Sequence, residues 1–302
     1  MRTTGGWARR LALGAGLLWA TASHAQAWLP DGGTTSFGVA VTDTLDKKHT
    51  TTTGFEVDVG HIRTINYGFA AAYSPTDKLM FAASLPLVQS RYYGPDPHPT
   101  TTDDGDYHTT FTDLRTEVHY QLLLNDVFAL APYAAYVLPT HNYATLGHAA
   151  PGRGLDELWM GVATGLSMDK WIPRAYATAT FTYAVVEHVQ GISHDKENIE
   201  GSIGWFATPA VSVQAFVNWQ KTLGGIEFSA PPNPSDPIFP YHDQLAAAGY
   251  TNVGVGGSWD YSDRSTFSLA YSEGLHGVNT HLIDHAISLI YSYGFFGFRP
   301  NH

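Results

Sequence analysis

The 302-residue chain has no cysteine, and only 14 % of its residues are charged, against about 25 % in an average soluble domain. Without thiols there is no disulfide framework, no thiolate metal site and no cysteine nucleophile. Past residue 27 the sequence also lacks any apolar run of about 18 residues, so no helix is expected to cross a bilayer. Basic residues are scarce: 16 Lys and Arg stand against 27 Asp and Glu, a formal charge of −11. That balance argues against nucleic acid, or an anionic lipid surface, held through a basic face. Aromatic residues (13 %) and glycines (30) are plentiful, the reverse of a disordered composition.

The N-terminus reads as a targeting segment. Arg2, Arg9 and Arg10 precede the apolar stretch Leu11–Ala22, and Ala25-Gln26-Ala27 supplies small residues for signal peptidase. Residues 1–27 are therefore expected to be a cleaved signal peptide, cut after Ala27 or, as second choice, after Ala25. Residues 28–302 form the exported domain. The signal carries three arginines and no acid, so the remainder is more acidic still.

Dyad alternation dominates the rest. Val211, Val213, Ala215, Val217 and Trp219 share one parity, with Ser212, Gln214, Asn218 and Gln220 on the other. Phe267, Leu269 and Tyr271 alternate with Ser268, Ala270 and Ser272, and Leu114, Val118, Tyr120 and Leu122 with Asp113, Arg115, Glu117 and His119. Period two means β-strands with one apolar face. The pattern predicts twelve, at about 34–43, 55–74, 78–93, 109–124, 127–139, 155–168, 174–189, 197–207, 210–223, 248–261, 264–273 and 281–296. Their connections alternate between tight turns and longer polar loops, the latter at 44–54, 94–108, 140–154, 190–196, 224–243 and 274–280.

Short turns on one side and long loops on the other are the signature of an outer-membrane barrel. Aromatic residues near the strand ends (Tyr67, Tyr73, Trp205, Trp219, Trp259, Tyr291, Phe295) suit interfacial girdles. The expected fold is all-β: a transmembrane antiparallel up-and-down β-barrel of about twelve strands in the bacterial outer membrane. Only about six residues separate the cleavage point from the first strand, too few for a plug domain. The proline-rich Pro231–Pro240 reads as a surface loop, or as a stiff cap over the lumen.

Asp113, Arg115, Glu117 and His119 form the best polar constellation. On alternate positions they cannot face lipid, where a mid-depth arginine costs ~2–4 kcal/mol. Pointing inward, with Glu157, Glu200, Asn218 and Lys221 as partners, they would make a constriction that selects solutes or a salt-bridged plug. Acids outnumber bases in this set, which favours neutral or cationic solutes. Histidines are numerous in the predicted outer loops (His49, His98, His108, His141, His148, His194, His242, His276), some beside acids as in His242-Asp243 and Asp284-His285. Without fixed ligand spacing they read first as solvated loop residues, and Zn²⁺ or Cu²⁺ binding is the alternative. Ser193-His194 are neighbours whose side chains point apart, and no nucleophile elbow surrounds any serine, so no catalytic site is expected.

Leu85-Pro86-Leu87-Val88 with Arg91, Thr112-Asp113-Leu114-Arg115, Tyr120-Gln121-Leu122-Leu123, Leu138-Pro139-Thr140 and the glycines at 152 and 154 resemble the "MetA-pathway of phenol degradation" family of outer-membrane transporters. The motifs lie between about residues 85 and 160. The family is loosely similar to fatty-acid and aromatic-hydrocarbon channels, and the resemblance implies passage of small aromatic or hydrophobic compounds. The fatty-acid channels carry an N-terminal hatch that this chain lacks, so their gating is not carried over. The function expected is passive transport of small solutes by a monomer, with outer-membrane lipids and the barrel-assembly machinery as partners and no cofactor. The alternatives are a non-conducting barrel whose loops bind a ligand or metal, and an outer-membrane hydrolase.

Overall fold

In the computed structural model, residues 27–95, 98, 100–227 and 237–296 are described. The signal segment up to residue 26, and most of Pro231–Pro240, lie outside them. The strands are β1 (Thr34–Thr50), β2 (Glu56–Val57), β3 (His61–Thr76), β4 (Leu79–Tyr93), β5 (His108–Phe111), β6 (Asp113–Tyr120), β7 (Leu123–Leu124) and β8 (Phe128–Pro139). They continue as β9 (Glu157–Ser167), β10 (Ala175–Val186), β11 (His194–Thr208), β12 (Val211–Gly224), β13 (Gly249–Ser262), β14 (Ser265–Val278) and β15 (His281–Phe296). One helical turn, His242–Leu245, sits between β12 and β13.

All pairings in the ladder are antiparallel, and β1 closes on β15 from Thr34↔Phe296 to His49↔His281. β5, β6 and β7 are pieces of one stave, and β2 is a short ribbon on β1. The result is a closed barrel of twelve staves, as the alternation predicts.

Two strands run further than their hydropathy shows. β1 continues past residue 43 to Thr50, and β14 continues past residue 273 to Val278. Neither extension alternates: Thr44–Thr50 is polar apart from Leu45, and Gly274–Val278 sets Leu275 and Val278 beside two glycines and His276, yet the backbone ladder persists above the apolar belt. Lys47 pairs with Asp284 at 2.8 Å there, and Arg63 grips Asp43 with two hydrogen bonds of 3.0 and 2.6 Å. The expected loop 274–280 shrinks to the hairpin residues Asn279-Thr280, with Asn279 at φ 48°. A two-residue hairpin needs that left-handed backbone.

The two faces of the wall are inverted relative to a soluble protein. Phe37, Val39, Val41, Ile199, Ile203, Leu269, Ile287 and Leu289 are exposed outward, while Ala40, Thr42, Ser268, Ala270 and Ser288 are buried inward. Inward hydroxyls pair across staves, as in Thr42–Ser288 at 2.9 Å and Ser212–Ser258 at 2.7 Å. Tyr73, Trp205 and Trp259 stand outward near the short turns, joined by Phe81 and Phe267. Tyr67, Trp219 and Tyr291 share the outward parity but are half-buried, and the side chain of Phe295 lies outside the described residues. An apolar belt of this kind needs a lipid environment.

Candidate functional site

The lumen is the place where polar chemistry gathers, and it is filled in three layers. The short-turn end, periplasmic in such barrels, is closed by Ala27, Trp28 and Leu29. Trp28 packs with Ala129, Ala163, Tyr176 and Phe206, and Leu29 with Ala72, Met80 and Ala82. The indole lies flat on Gly165, where an added Cβ would stand 2.3 Å from the ring. Gln121 fastens the segment: its Oε1 accepts the N–H of Leu29 at 2.9 Å, and its Nε2 donates to the carbonyl of Ala27 at 2.9 Å. Three residues before β1 thus fill the inner mouth, Ala27 among them where cleavage falls at the second choice, after Ala25.

The middle layer contains the ladder read from alternation on β6. Arg115 Nε donates to Glu117 Oε1 at 2.7 Å, and His119 Nε2 meets Glu117 Oε2 at 2.7 Å, with all three side chains buried. His119 stacks on Tyr133 at 4.9 Å, and the Arg115 guanidinium lies 4.6 Å above the Trp159 ring. Nearer the long loops, Tyr143 donates its hydroxyl to Asp113. Glu157 accepts from Lys196 Nζ at 2.6 Å and from Trp159 Nε1 at 2.8 Å. Glu200 and Asn218 face each other in register across β11 and β12 on the inward parity.

Three features of this layer escape the sequence reading. Lys221 is exposed on the outward parity, opposite Glu197, and takes no part in the lumen. The cation beside Glu157 is Lys196, hidden because β11 begins at His194, three residues before the alternation becomes legible. Arg153, from the 140–156 connection, also enters, with Nε and Nη2 buried and without hydrogen-bond partners, as is Arg115 Nη2. Arg115, Lys196 and Arg153 now stand against Asp113, Glu117, Glu157 and Glu200. The acid excess that favoured cationic solutes therefore nearly vanishes.

The outer layer is made by loops folded over the barrel. Asp103, on the 94–107 connection, accepts the backbone N–H groups of His98 (3.1 Å), His148 (3.0 Å) and Ala149 (2.9 Å). Burial alone would raise its carboxyl pKa, but hydrogen bonds from the His98 ring and from these N–H groups outweigh that and hold it below 3.8. Tyr92 stacks on His148 at 4.8 Å, and Gln244 Nε2 donates to the Arg153 carbonyl at 2.6 Å. Five histidines converge here: His49, His98, His148, His242 and His281. The expectation that loop histidines are scattered and solvated fails for this group. Sequence spacing carries no sign of it, because the rings come from separate loops and from both strands of the barrel seam, where His49 faces His281. His108 and His285 do behave as surface residues, each paired at 2.8 Å with Asp104 and Asp284. His194 turns Nδ1 to the Ile192 carbonyl rather than to Ser193.

No family model matches the chain, and no curated protein matches it either. Among solved structures it is similar to an outer membrane channel from Pseudomonas putida F1, with TM-score 0.71 and 12 % identity, covering 91 % of this chain and 100 % of that one. This is an outer-membrane β-barrel. The NanC porin shares the architecture at TM-score 0.50 and 8 % identity, covering 85 % of this chain and 98 % of that one. At such identities the likeness speaks for the fold, and the lipid-facing belt gives it a physical basis. The neighbours agree with the barrel fold that the motif resemblance at residues 85–160 implies, and no family model supports the family itself.

Proposed function

We propose that the barrel is a channel for passive passage of small solutes across the outer membrane, and that its substrates carry an aromatic or otherwise apolar part. The observation that carries this reading is the lumen of a closed barrel, lined along its length by the ladder Asp113, Arg115, Glu117 and His119 with aromatic rings against it. Tyr133 and Trp159 offer flat apolar surfaces beside charged and hydrogen-bonding groups, a combination suited to a solute with a ring and a polar handle. The unpartnered N–H groups of Arg115 and Arg153 supply donors for that handle. The structures that share the fold are named as a channel and a porin, and the motif resemblance points to aromatic compounds. Both mouths are covered, so passage requires the outer loops and the Ala27–Leu29 segment both to move aside. In this reading the protein works as a monomer, in contact with outer-membrane lipids and inserted by the assembly machinery, and it needs no catalytic chemistry.

Planar-bilayer recording of the refolded protein tests the proposal. Discrete current steps are expected, with ion selectivity altered when Asp113→Asn and Glu117→Gln are combined. A heat-modifiable barrel that is silent in bilayers and admits no small aromatic solute into liposomes overturns it.

A further inference from the structure

The histidine cluster at the outer end is built around one carboxylate. Asp243 Oδ2 lies 3.6 Å from His98 Nδ1 and 3.5 Å from His148 Nδ1, and Asp243 Oδ1 lies 3.5 Å from both His242 Nε2 and His281 Nε2. His148 Nδ1 and His281 Nε2 are 3.3 Å apart. His49 completes the set against His281, with ring centroids 4.8 Å apart. The donor atoms form two overlapping groups, His98–His148–His242–Asp243 and His49–Asp243–His281, the atoms of each lying within 4.8 Å of one another.

These separations are informative because the same protein shows what an ordinary Asp–His pair looks like. At the surface, His108–Asp104 and His285–Asp284 close to 2.8 Å. All four contacts to Asp243 stop at 3.5–3.6 Å, too long for charge-assisted hydrogen bonds of about 2.7–2.9 Å. Asp243 Oδ2 is left buried without a hydrogen-bond partner, an arrangement that costs free energy unless something fills it. For a tetrahedral ion with ligands at about 2.0–2.1 Å, the edge between two ligand atoms is about 3.3–3.4 Å. The edges that meet at Asp243, at 3.5–3.6 Å, are close to that length.

We propose that these imidazoles and Asp243 bind a divalent transition-metal ion of the zinc class, with Asp243 as the ligand shared by the two groups. Imidazole nitrogens with one carboxylate select zinc or copper over calcium and magnesium, which prefer all-oxygen shells. The ligand frame is held in place without the ion: Asp103 fixes the backbone of His98 and His148, and Tyr92 stacks behind His148. Binding ties the 94–107 and 140–156 connections and the His242–Leu245 turn to the β1–β15 seam. It thereby latches the outer loops over the lumen. The site does not depend on the channel reading, because binding is measured on the folded barrel whether or not it conducts.

The test uses the full exported protein, made without a histidine tag, folded in detergent and stripped with chelator. Zinc is then titrated against a chromophoric competitor, and bound metal is counted by mass spectrometry. Saturable binding of one or two equivalents is expected, since the two ligand groups share Asp243. Asp243→Ala and His148→Ala should weaken it by about 10–100-fold or more, while His108→Ala and His285→Ala leave it unchanged. If Asp243→Ala fails to give a heat-modifiable barrel, His242→Gln serves in its place. Absence of saturable binding by the unsubstituted protein overturns the proposal. So does binding that survives undiminished in the cluster variants.

Discussion

The two ends of the lumen are closed by opposite physics. At the inner end, three residues before β1 bury an indole and a leucine against Tyr176, Phe206 and Met80, with Gln121 as a polar clasp. At the outer end, the 94–107 and 140–156 connections and the His242–Leu245 turn are knit by Asp103, Asp243 and five imidazoles. Apolar packing of the first kind answers to shape and little to solution conditions. The second kind is made of titratable groups, so its strength follows proton concentration and, with the proposed site filled, metal concentration as well. A barrel closed in this way has a fixed inner stopper and an adjustable outer lid.

The contrast is broken hardest at the inner end. Trp28→Ala leaves a cavity over Gly165 and should cost about 3–5 kcal/mol, read as a lower unfolding midpoint of the refolded barrel. In bilayers the same variant should pass more current than the unsubstituted protein, with the outer loops still protected from protease. Asp103→Asn acts at the other end and more gently. It replaces a carboxylate that accepts three backbone N–H groups, at about 1–3 kcal/mol. Here the barrel's melting should hardly move while cleavage within the 94–107 and 140–156 connections accelerates. Acid gives the smallest effect. The Asp103 carboxyl sits below its ordinary 3.8, so its contribution to the lid is complete above that value and is lost as pH falls below it. In protein stripped of metal, proteolysis of the outer connections should be alike at pH 7 and pH 5 and rise only under about pH 3.8. Loosening that is already complete at pH 5 would show that Asp103 does not govern the lid.

How much was legible in the sequence follows from where periodicity operates. Between Val211 and Gln220, or Phe267 and Ser272, one face meets lipid and the other the lumen, and the dyad pattern reports the strand, its facing and its neighbours. The same contrast placed Arg115, Glu117 and His119 inside, where they bond to one another. It fails above the belt, because at Asp46–His49 and Glu273–Val278 both faces are wet and the strand leaves no hydropathic trace. Lys196 was lost for that reason, and Arg153 because a loop delivers it. The histidine cluster was illegible for a third reason: its members come together only through the conformation of separate loops, which spacing along the chain does not encode. The inner stopper left a faint mark, a tryptophan and a leucine at residues 28 and 29 with no strand to belong to.

The seam between β1 and β15 also sets an order of events. Thr42 and Ser288 share a hydrogen bond across 246 positions of chain, so the seam can close only after the final strand has been delivered. Contacts that distant carry the greatest loop-closure entropy and form late. The Ala27–Leu29 segment lies within the finished cylinder, attached to the first strand to be exported. Joined to β1 yet packed on Ala129, Ala163, Tyr176 and Phe206 of β8–β11, it can settle only once the sheet has curled round, so substitutions along the seam that slow closure should also delay the filling of that end.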